Sequence, residues 1–256
     1  MKKISIITVC YNAENEIEKT MKSVLNQTYM DLEYIIVDGA STDSTLLKIK
    51  SISKDYPTVI VKVYSEPDKG IYDAMNKGIK ASSGEWLCMM NAGDVFTNEN
   101  VLTEVFSNSI PENISFLYSD FYKATSFDKY FRVHTCCEEH NKVLVHQSTI
   151  YKRSLHEEHG YYAVTPKLIV SDYLFFLRIP VEQTMKVNTV IAKYEGGGVS
   201  EQGGWAHKQA LCANVTFRHT SFWSVYWQYF KWRVKISLPK RIREIIRLKM
   251  SGVENV

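Results

Sequence analysis

No stretch of the 256 residues reaches the roughly 18 uninterrupted apolar positions that a membrane-spanning helix requires, so a helical integral membrane protein is excluded. Cysteine is scarce and unpatterned. Cys10, Cys88, Cys136, Cys137 and Cys212 make an odd number with no CxxC spacing and no paired His motif, which speaks against both a disulfide framework and a zinc site. There is no low-complexity tract and no repeat with a period of about 20 to 50 residues, so disorder and solenoids are not expected. The turn after the first apolar run lacks GxGxxG, and no GxxxxGK[ST] loop occurs anywhere, so any phosphate must be held by other means. The formal net charge is only +3, and no nucleic-acid partner is expected. That charge is uneven: Lys and Arg dominate from Arg218 onward, while the acids concentrate in the first 200 residues, which suggests an anionic surface near the C-terminal end. Met1-Lys2-Lys3 runs directly into ISIITV, too short for the apolar region of a signal peptide, and a reducing cytoplasm is the expected location.

What is present is a globular composition, 45% hydrophobic and 23% charged with sixteen tyrosines, and a length that allows one large domain or two small ones. One domain with an appendage is the expected organisation. ISIITV (Ile4 to Val9) is apolar and β-branched, and after it Ile17, Met21, Val24 and Leu25 fall at helical spacing. The alternation repeats as LEYIIVD (Leu32 to Asp38) before STLLKIKSI, VIVKVYSE (Val59 to Glu66) before IYDAMNKGI, and WLCMM before ENVLTEVF. Four βα units imply an α/β fold with a mostly parallel sheet covered on both faces. Right-handed crossovers then place the four strand ends along one edge, where open α/β sheets bind ligands.

After each strand stands a polar group: Tyr11-Asn12, then Asp38-Gly39-Ala40-Ser41, then Glu66-Pro67-Asp68-Lys69-Gly70, then Asn91-Ala92-Gly93-Asp94. Each has a bland explanation as a turn, a helix cap or a solvated loop residue. Four in register point to a pocket, because loops on a rigid sheet are where function concentrates. One carboxylate at Asp94 suffices for Mg²⁺ or Mn²⁺ if the ligand is a diphosphate that supplies further oxygens. A plain turn with Asp94 capping the next helix explains MNAGD equally well.

Taken together, ISIITVCYNAENEIEKTMKSVLNQT, EYIIVDGASTDST, SEPDKGIYDAMNKGIKASSGEWL and MNAGD resemble the successive donor-site motifs of family 2 glycosyltransferases, closely over residues 4 to 110 and more loosely to about 200. Within that family the chain most resembles bacterial enzymes of O-antigen and capsule polysaccharide biosynthesis. The resemblance implies an inverting enzyme of GT-A fold, with a catalytic domain over residues 1–204 (donor half to about 110, acceptor half from 111) and a helical extension over 205–256. It implies that Tyr11 and Asn12 pack on the nucleotide and that Asp38 accepts a hydrogen bond from the base. Asp68, Lys69 and Gly70 correspond to the loop beside the nucleoside, with Asn76 on the helix behind it. Asn91 to Asp94 stands at the family's D-x-D place, where the acids are reduced to Asp94 as the single candidate ligand for Mg²⁺ or Mn²⁺.

The second half is less regular. YSDF (Tyr118 to Phe121), VHQSTIYKR (Val145 to Arg153) and VSDYLFFLRI (Val170 to Ile179) each resemble a piece of the acceptor side, which puts His146 and Gln147 on a loop facing the acceptor. A His in such a place also serves as a hydrogen-bonded packing residue. Asp172 precedes an apolar helical run, either as an N-terminal acid set against the dipole or as the general base the family implies, with Asp120 the next candidate. The glycine-rich EGGGVSEQGGW (Glu195 to Trp205) reads as a lid over bound donor or as a plain exposed loop. FWSVYWQYFKWRVK and PKRIREIIRLKM are basic, aromatic helical stretches, suited either to lying on an anionic membrane or to packing on the catalytic domain. The expected activity is transfer of a sugar from a nucleotide sugar, UDP-linked by resemblance, to a hydroxyl of a glycan or lipid-linked glycan. The competing reading is a catalytically silent nucleotide-binding or scaffold protein of the same fold, and a nucleotidyltransferase lacks its Gly-rich basic first loop.

Overall fold

Ile4 and Ile6 on one side of the first strand and Ile7 and Val9 on the other feed two separate hydrophobic clusters, and that alternation organises the molecule. The computed structural model describes residues 2–125, 129–138, 141–194, 204–218, 221–239 and 241–243. The first half runs β1 (Ile4–Cys10), α1 (Ile17–Leu25), β2 (Leu32–Asp38), α2 (Thr45–Asp55), β3 (Val61–Ser65), α3 (Ile71–Ala81) and β4 (Trp86–Met89). Three of these strands agree with the sequence to within a residue. The third is shorter than the run Val59 to Glu66: Val59 closes a turn by bonding to the Tyr56 carbonyl, and pairing with β2 begins in earnest at Val61.

β1 to β4 are mutually parallel in the order β3-β2-β1-β4, so the chain winds outward from β1 to β3 and then crosses back to the other side of β1. This reversal between β1 and β4 opens a crevice at their C-terminal ends, the usual ligand position in such sheets. Helices α1 and α2 cover one face with Ile17, Met21, Val24, Ile49 and Ile52, and α3 covers the other with Tyr72, Met75 and Ile79.

The second half continues with β5 (Val95–Phe96), α4 (Val101–Ser107), β6 (Phe116–Tyr118), β7 (Phe121–Ala124), β8 (Tyr130–Val133), β9 (Cys136–Glu138), β10 (Asn141–Val143), β11 (Thr149–Lys152), α5 (Ser154–His159), α6 (Ser171–Leu177), β12 (Thr184–Lys186) and β13 (Ala192–Tyr194). β11 inserts antiparallel between β4 and β6, and β12 pairs parallel outside β6, giving seven strands in one mixed sheet. The two halves therefore share a single sheet. A four-stranded sheet in the order β5-β13-β7-β8 and a β9-β10 hairpin complete the strands among the described residues. Helices α7 (Trp205–Arg218) and α8 (Phe222–Ser237) follow, and α7 is tied to the preceding loop and to α6 by bonds from Ile169 N to Gln209 Oε1 and from the Tyr173 hydroxyl to Asn214 Oδ1.

Candidate active site

The loops after β1 and β2 are stitched into one rim. The Asn12 amide donates to Ser41 Oγ at 2.8 Å, and the Thr42 amide returns a bond to Asn12 Oδ1 at 2.9 Å. Asn12 and Ala40 both hold left-handed backbone angles, φ +47° and +62°. For Asn that is tolerable. For Ala it costs roughly 1 kcal/mol, a strain of the kind that gathers at binding loops. Asp38 lies beneath this rim, fully buried. Its Oδ2 accepts from the Ser41 amide at 3.0 Å and the Ser65 hydroxyl at 2.7 Å, and its Oδ1 from the Ser41 hydroxyl and the Cys10 thiol. These bonds make Asp38 a support of the rim on which the two loops are held.

Above Asp38 the surface is different. A methyl group placed on Gly39 would sit 2.5 Å from Asp68 Oδ2 and 3.4 Å from the Tyr11 ring, which shows how closely these side chains approach the bare main chain. Tyr11 is 63% exposed, an aromatic face available for stacking. Asp68 is half-buried; its Oδ1 caps the Gly70 amide at 2.8 Å, while the exposed Lys69 gives its own amide to Asp73 Oδ2 at 3.0 Å. Tyr11 and Asp68 thus come together over Gly39 at the strand ends. Asn76, expected near the nucleoside, is not among them. Its amide donates to the Tyr162 carbonyl at 2.8 Å and its Oδ1 accepts from the Tyr162 amide at 3.0 Å, so both polar ends clamp α3 to the loop before α6.

Across the crevice, Asn91 to Asp94 forms a tight turn closed by the Asp94 amide on the Asn91 carbonyl at 2.9 Å, with Gly93 at φ +104°. Asp94 is 5% exposed. Burial pushes its carboxyl up to about 7, partly offset by the nearby His146 and a hydrogen bond from Gln147. His146 sits in a 3₁₀ turn over His146–Ser148, placed by β11 beside the end of β4. Its Nδ1 is 2.9 Å from Asp172 Oδ2, and its Nε2 is 2.8 Å from Asn91 Nδ2. Asp172 Oδ1 takes a further bond from the Tyr72 hydroxyl at 2.8 Å and another from the Tyr173 amide at 2.9 Å. Burial alone would raise the Asp172 carboxyl, but the bond and charge of His146 outweigh it and hold the group below the usual range. Burial likewise disfavours the charged imidazole, and the Asp172 bond and charge reverse that, leaving His146 above its ordinary value.

The structure thus gathers Tyr11, Asn12, Asp68, Lys69, Gly70, Asn91, Asp94, His146, Gln147 and Asp172 along one edge of the sheet, and sets Asp38 and Asn76 behind it as supports. Asp120, the reserve base, is locked: Lys186 Nζ at 2.6 Å, Arg132 Nε at 3.0 Å and the Thr135 amide at 2.9 Å surround a carboxylate that is 3% exposed. Glu195 to Gly203 of the glycine-rich stretch, like Lys240 and residues 244–256, lies outside the described residues. Sequence reasoning noted Ser41 only as part of the polar group after β2, and missed Tyr72 and Ser65. Tyr72 stood inside the quoted IYDAMNKGI, where apolar spacing assigns it to the core and hides its hydroxyl.

For a divalent cation the turn offers the Asp94 carboxylate and Asn91 Oδ1, which is buried and has no hydrogen-bond partner. No group of three or more His, Cys, Asp and Glu suited to a metal occurs among the described residues. Such a pair fits a hard ion that takes its remaining oxygens from a bound diphosphate and water, and does not fit an ion caged by protein alone.

Comparison with known proteins agrees with this architecture. Residues 5–123 match the family model described as Glycosyl transferase family 2. A PGL/p-HBAD biosynthesis glycosyltransferase of Mycobacterium bovis is 28% identical over 206 residues, covering 77% of this chain and 78% of the relative. The Escherichia coli UDP-Glc:alpha-D-GlcNAc-diphosphoundecaprenol beta-1,3-glucosyltransferase WfgD is 32% identical over 118 residues, 46% of this chain and 45% of its own length. Among solved structures, glucosyl-3-phosphoglycerate synthase from Mycobacterium tuberculosis, captured with Mn²⁺, UDP-glucose and phosphoglyceric acid, superimposes with a TM-score of 0.60 at 14% identity, over 86% of this chain and 81% of the other. The first half of the chain thus carries the sequence pattern of glycosyl transferase family 2, and most of its length shares the fold of a glycosyltransferase of known structure.

Proposed function

We propose that the protein is an inverting hexosyltransferase that moves a sugar from a nucleoside diphosphate donor to a hydroxyl of a glycan or lipid-linked glycan during synthesis of a surface polysaccharide of O-antigen or capsule type. One observation carries this reading: an exposed aromatic ring beside a carboxylate, an acid-bearing turn and a hydrogen-bonded carboxylate share one edge of the sheet at its switch point. UDP is the favoured carrier, since the E. coli relative and the mycobacterial synthase are both described with UDP-sugars. A lipid-linked acceptor, such as the E. coli relative's name describes, puts the reaction at the inner face of a membrane.

In this mechanism the Tyr11 face stacks on the base, and Asp68 beside bare Gly39 accepts a hydrogen bond from the nucleoside. Asn12 fixes the rim over which the donor lies. Asp94 and Asn91 Oδ1 would hold a divalent ion, which when bound neutralises charge on the leaving diphosphate. Asp172 accepts the proton of the acceptor hydroxyl as the new bond forms. His146 and Tyr72 each give it a hydrogen bond, which fixes its orientation and keeps it ionised, and Asn91 holds the far side of the imidazole. Gln147 keeps the Asp94 side chain in place. Positioning and charge complementarity supply most of the rate enhancement.

The test is a panel of nucleotide sugars screened by thermal shift and by release of nucleoside diphosphate, with and without Mn²⁺. One donor should both stabilise the protein and be turned over. Stabilisation without turnover, even with acceptor present, would identify a silent binding protein, and neither response from any donor would end the reading.

A further inference from the structure

Helix α8 presents three lengthwise faces. Val225, Tyr229, Trp232 and Ile236 recur at helical spacing and are half-buried, with the Trp232 ring stacked on His207 of α7 at 4.7 Å. Ser224, Gln228, Lys231 and Lys235 make a polar stripe. The third face is apolar and open. Trp223, Tyr226, Trp227, Phe230 and Val234 follow the same spacing, and Trp223 and Trp227 are 70% and 57% exposed. The aromatic helix therefore satisfies only part of its apolar surface by packing on the protein. A continuous row of exposed rings is unusual on a soluble surface and marks a place where something docks.

Charge identifies the occupant. Lys231 and Lys235 border the open face on one side and Arg233 on the other, and from Arg218 to the end of the chain nine Lys and Arg stand against two Glu. Two copies meeting through this face would bring like charges together. An anionic bilayer pairs with them, and Trp and Tyr are the residues that settle at the boundary between headgroups and acyl chains. No helix among the described residues is long and apolar enough to cross a membrane, so the contact must lie in the interface plane. We propose that the Trp223-Tyr226-Trp227-Phe230-Val234 face of α8 docks on an anionic lipid bilayer, with Lys231, Arg233 and Lys235 on the phospholipid headgroups. The proposal does not depend on the donor or acceptor of the transferase reading, because docking is measured with neither present.

The experiment is co-sedimentation of the full chain with vesicles of phosphatidylglycerol and phosphatidylethanolamine, against vesicles of phosphatidylcholine, at low and at half-molar salt, together with tryptophan emission. The protein should pellet with the anionic vesicles, shift its emission to the blue, and release in high salt. Trp223→Ser with Trp227→Ser should weaken binding at least about tenfold by removing buried ring area. Lys231→Gln with Arg233→Gln should weaken it by on the order of tenfold to thirtyfold, at about one basic contact each. Both variants change exposed side chains, and an unaltered melting curve verifies their fold. Equal binding of wild type and the Trp variant overturns the proposal. So does a wild-type dimer in gel filtration that the Trp substitutions dissociate, which would make the face a contact between copies.

Discussion

His146 Nδ1 lies 2.9 Å from Asp172 Oδ2, joining a turn beside β4 to the first turn of α6 across 26 residues of sequence. On its other side Asn91 Nδ2 can only donate, so when the imidazole is neutral Nε2 accepts and Nδ1 carries the proton to Asp172. The acceptor-side carboxylate and the donor-side turn are thereby held through one imidazole.

Asp172→Asn should fold and bind donor normally yet lose roughly 10² to 10⁴ in turnover, because an amide cannot take the acceptor's proton. His146→Ala should lower kcat while leaving donor affinity within a factor of about three, since it removes one of the bonds that orient the base. Steady-state kinetics on both variants decide the matter. Transfer by Asp172→Asn within about threefold of wild type would reduce the residue to a helix-terminal acid.

Activity should vanish in excess EDTA and return with Mg²⁺ or Mn²⁺, and Asp94→Asn should lose most of it, as the turn holds no second acid. Full turnover in EDTA would leave Asp94 a buried structural residue hydrogen-bonded by Gln147.

Gly39→Ala should cut donor affinity at least about tenfold with little change in melting temperature. The backbone conformation admits alanine, but its methyl group would displace Asp68 Oδ2 and crowd the Tyr11 ring, the two side chains proposed to meet the nucleoside. Isothermal titration with the donor found in the panel measures this, and unchanged affinity would place the nucleoside elsewhere.

Asp38→Ala should behave differently, lowering stability by about 2 kcal/mol or more along with donor affinity. It removes the fully buried carboxylate that accepts from the half-buried Ser41, from the Ser65 hydroxyl and from the buried Cys10 thiol. A urea titration of the variant checks it. Lost donor affinity at unchanged stability would favour a direct contact with the ligand instead.

Glu33 contributes to the acid limit. It is 3% exposed, and although burial opposes its charge, hydrogen bonds from Ser5, Ser83 and Lys62 prevail and bring its pKa from 4.5 down to about 2. A depressed folded-state pKa contributes stability that is complete above the unfolded value and fades as pH falls from about 4.5 through 2. The contribution is about 3 kcal/mol. Glu33→Gln should flatten the loss of stability over that window, as followed by urea unfolding at several pH values.

The donor half was legible because parallel strands buried on both faces read as short β-branched runs, and the helices between them show a clear apolar stripe. Polar residues just past each run then had to share one edge. The second half was not legible in the same way. β6, β9, β10, β12 and β13 are three residues long, below the length at which alternation registers, and their pairing is set by partners far away in sequence. Within the site, type and position were readable and occupancy was not. Asp38 and Asn76 stand where the family places ligand contacts, yet they bond to Ser41, Ser65 and Tyr162, which only geometry reveals. Tyr72 went unnoticed for the opposite reason: a buried aromatic on a helix signals core, and nothing in spacing marks the hydroxyl that reaches Asp172.

The insertion of β11 between β4 and β6 also governs the order in which the molecule can be completed as it leaves the ribosome. Strands β1 to β4 can pair as soon as residue 89 has emerged, but the outer edge of β4 then waits, with unmet main-chain groups, until Thr149–Lys152 arrives. At about 5 to 20 residues per second that interval lasts several seconds, longer than small sheets need to form. During it the nascent chain exposes a strand edge rich in Leu87, Cys88 and Met89, a template for pairing with a neighbouring nascent chain. Expression yield should therefore be more sensitive to changes in β11 than the four residues of that strand suggest.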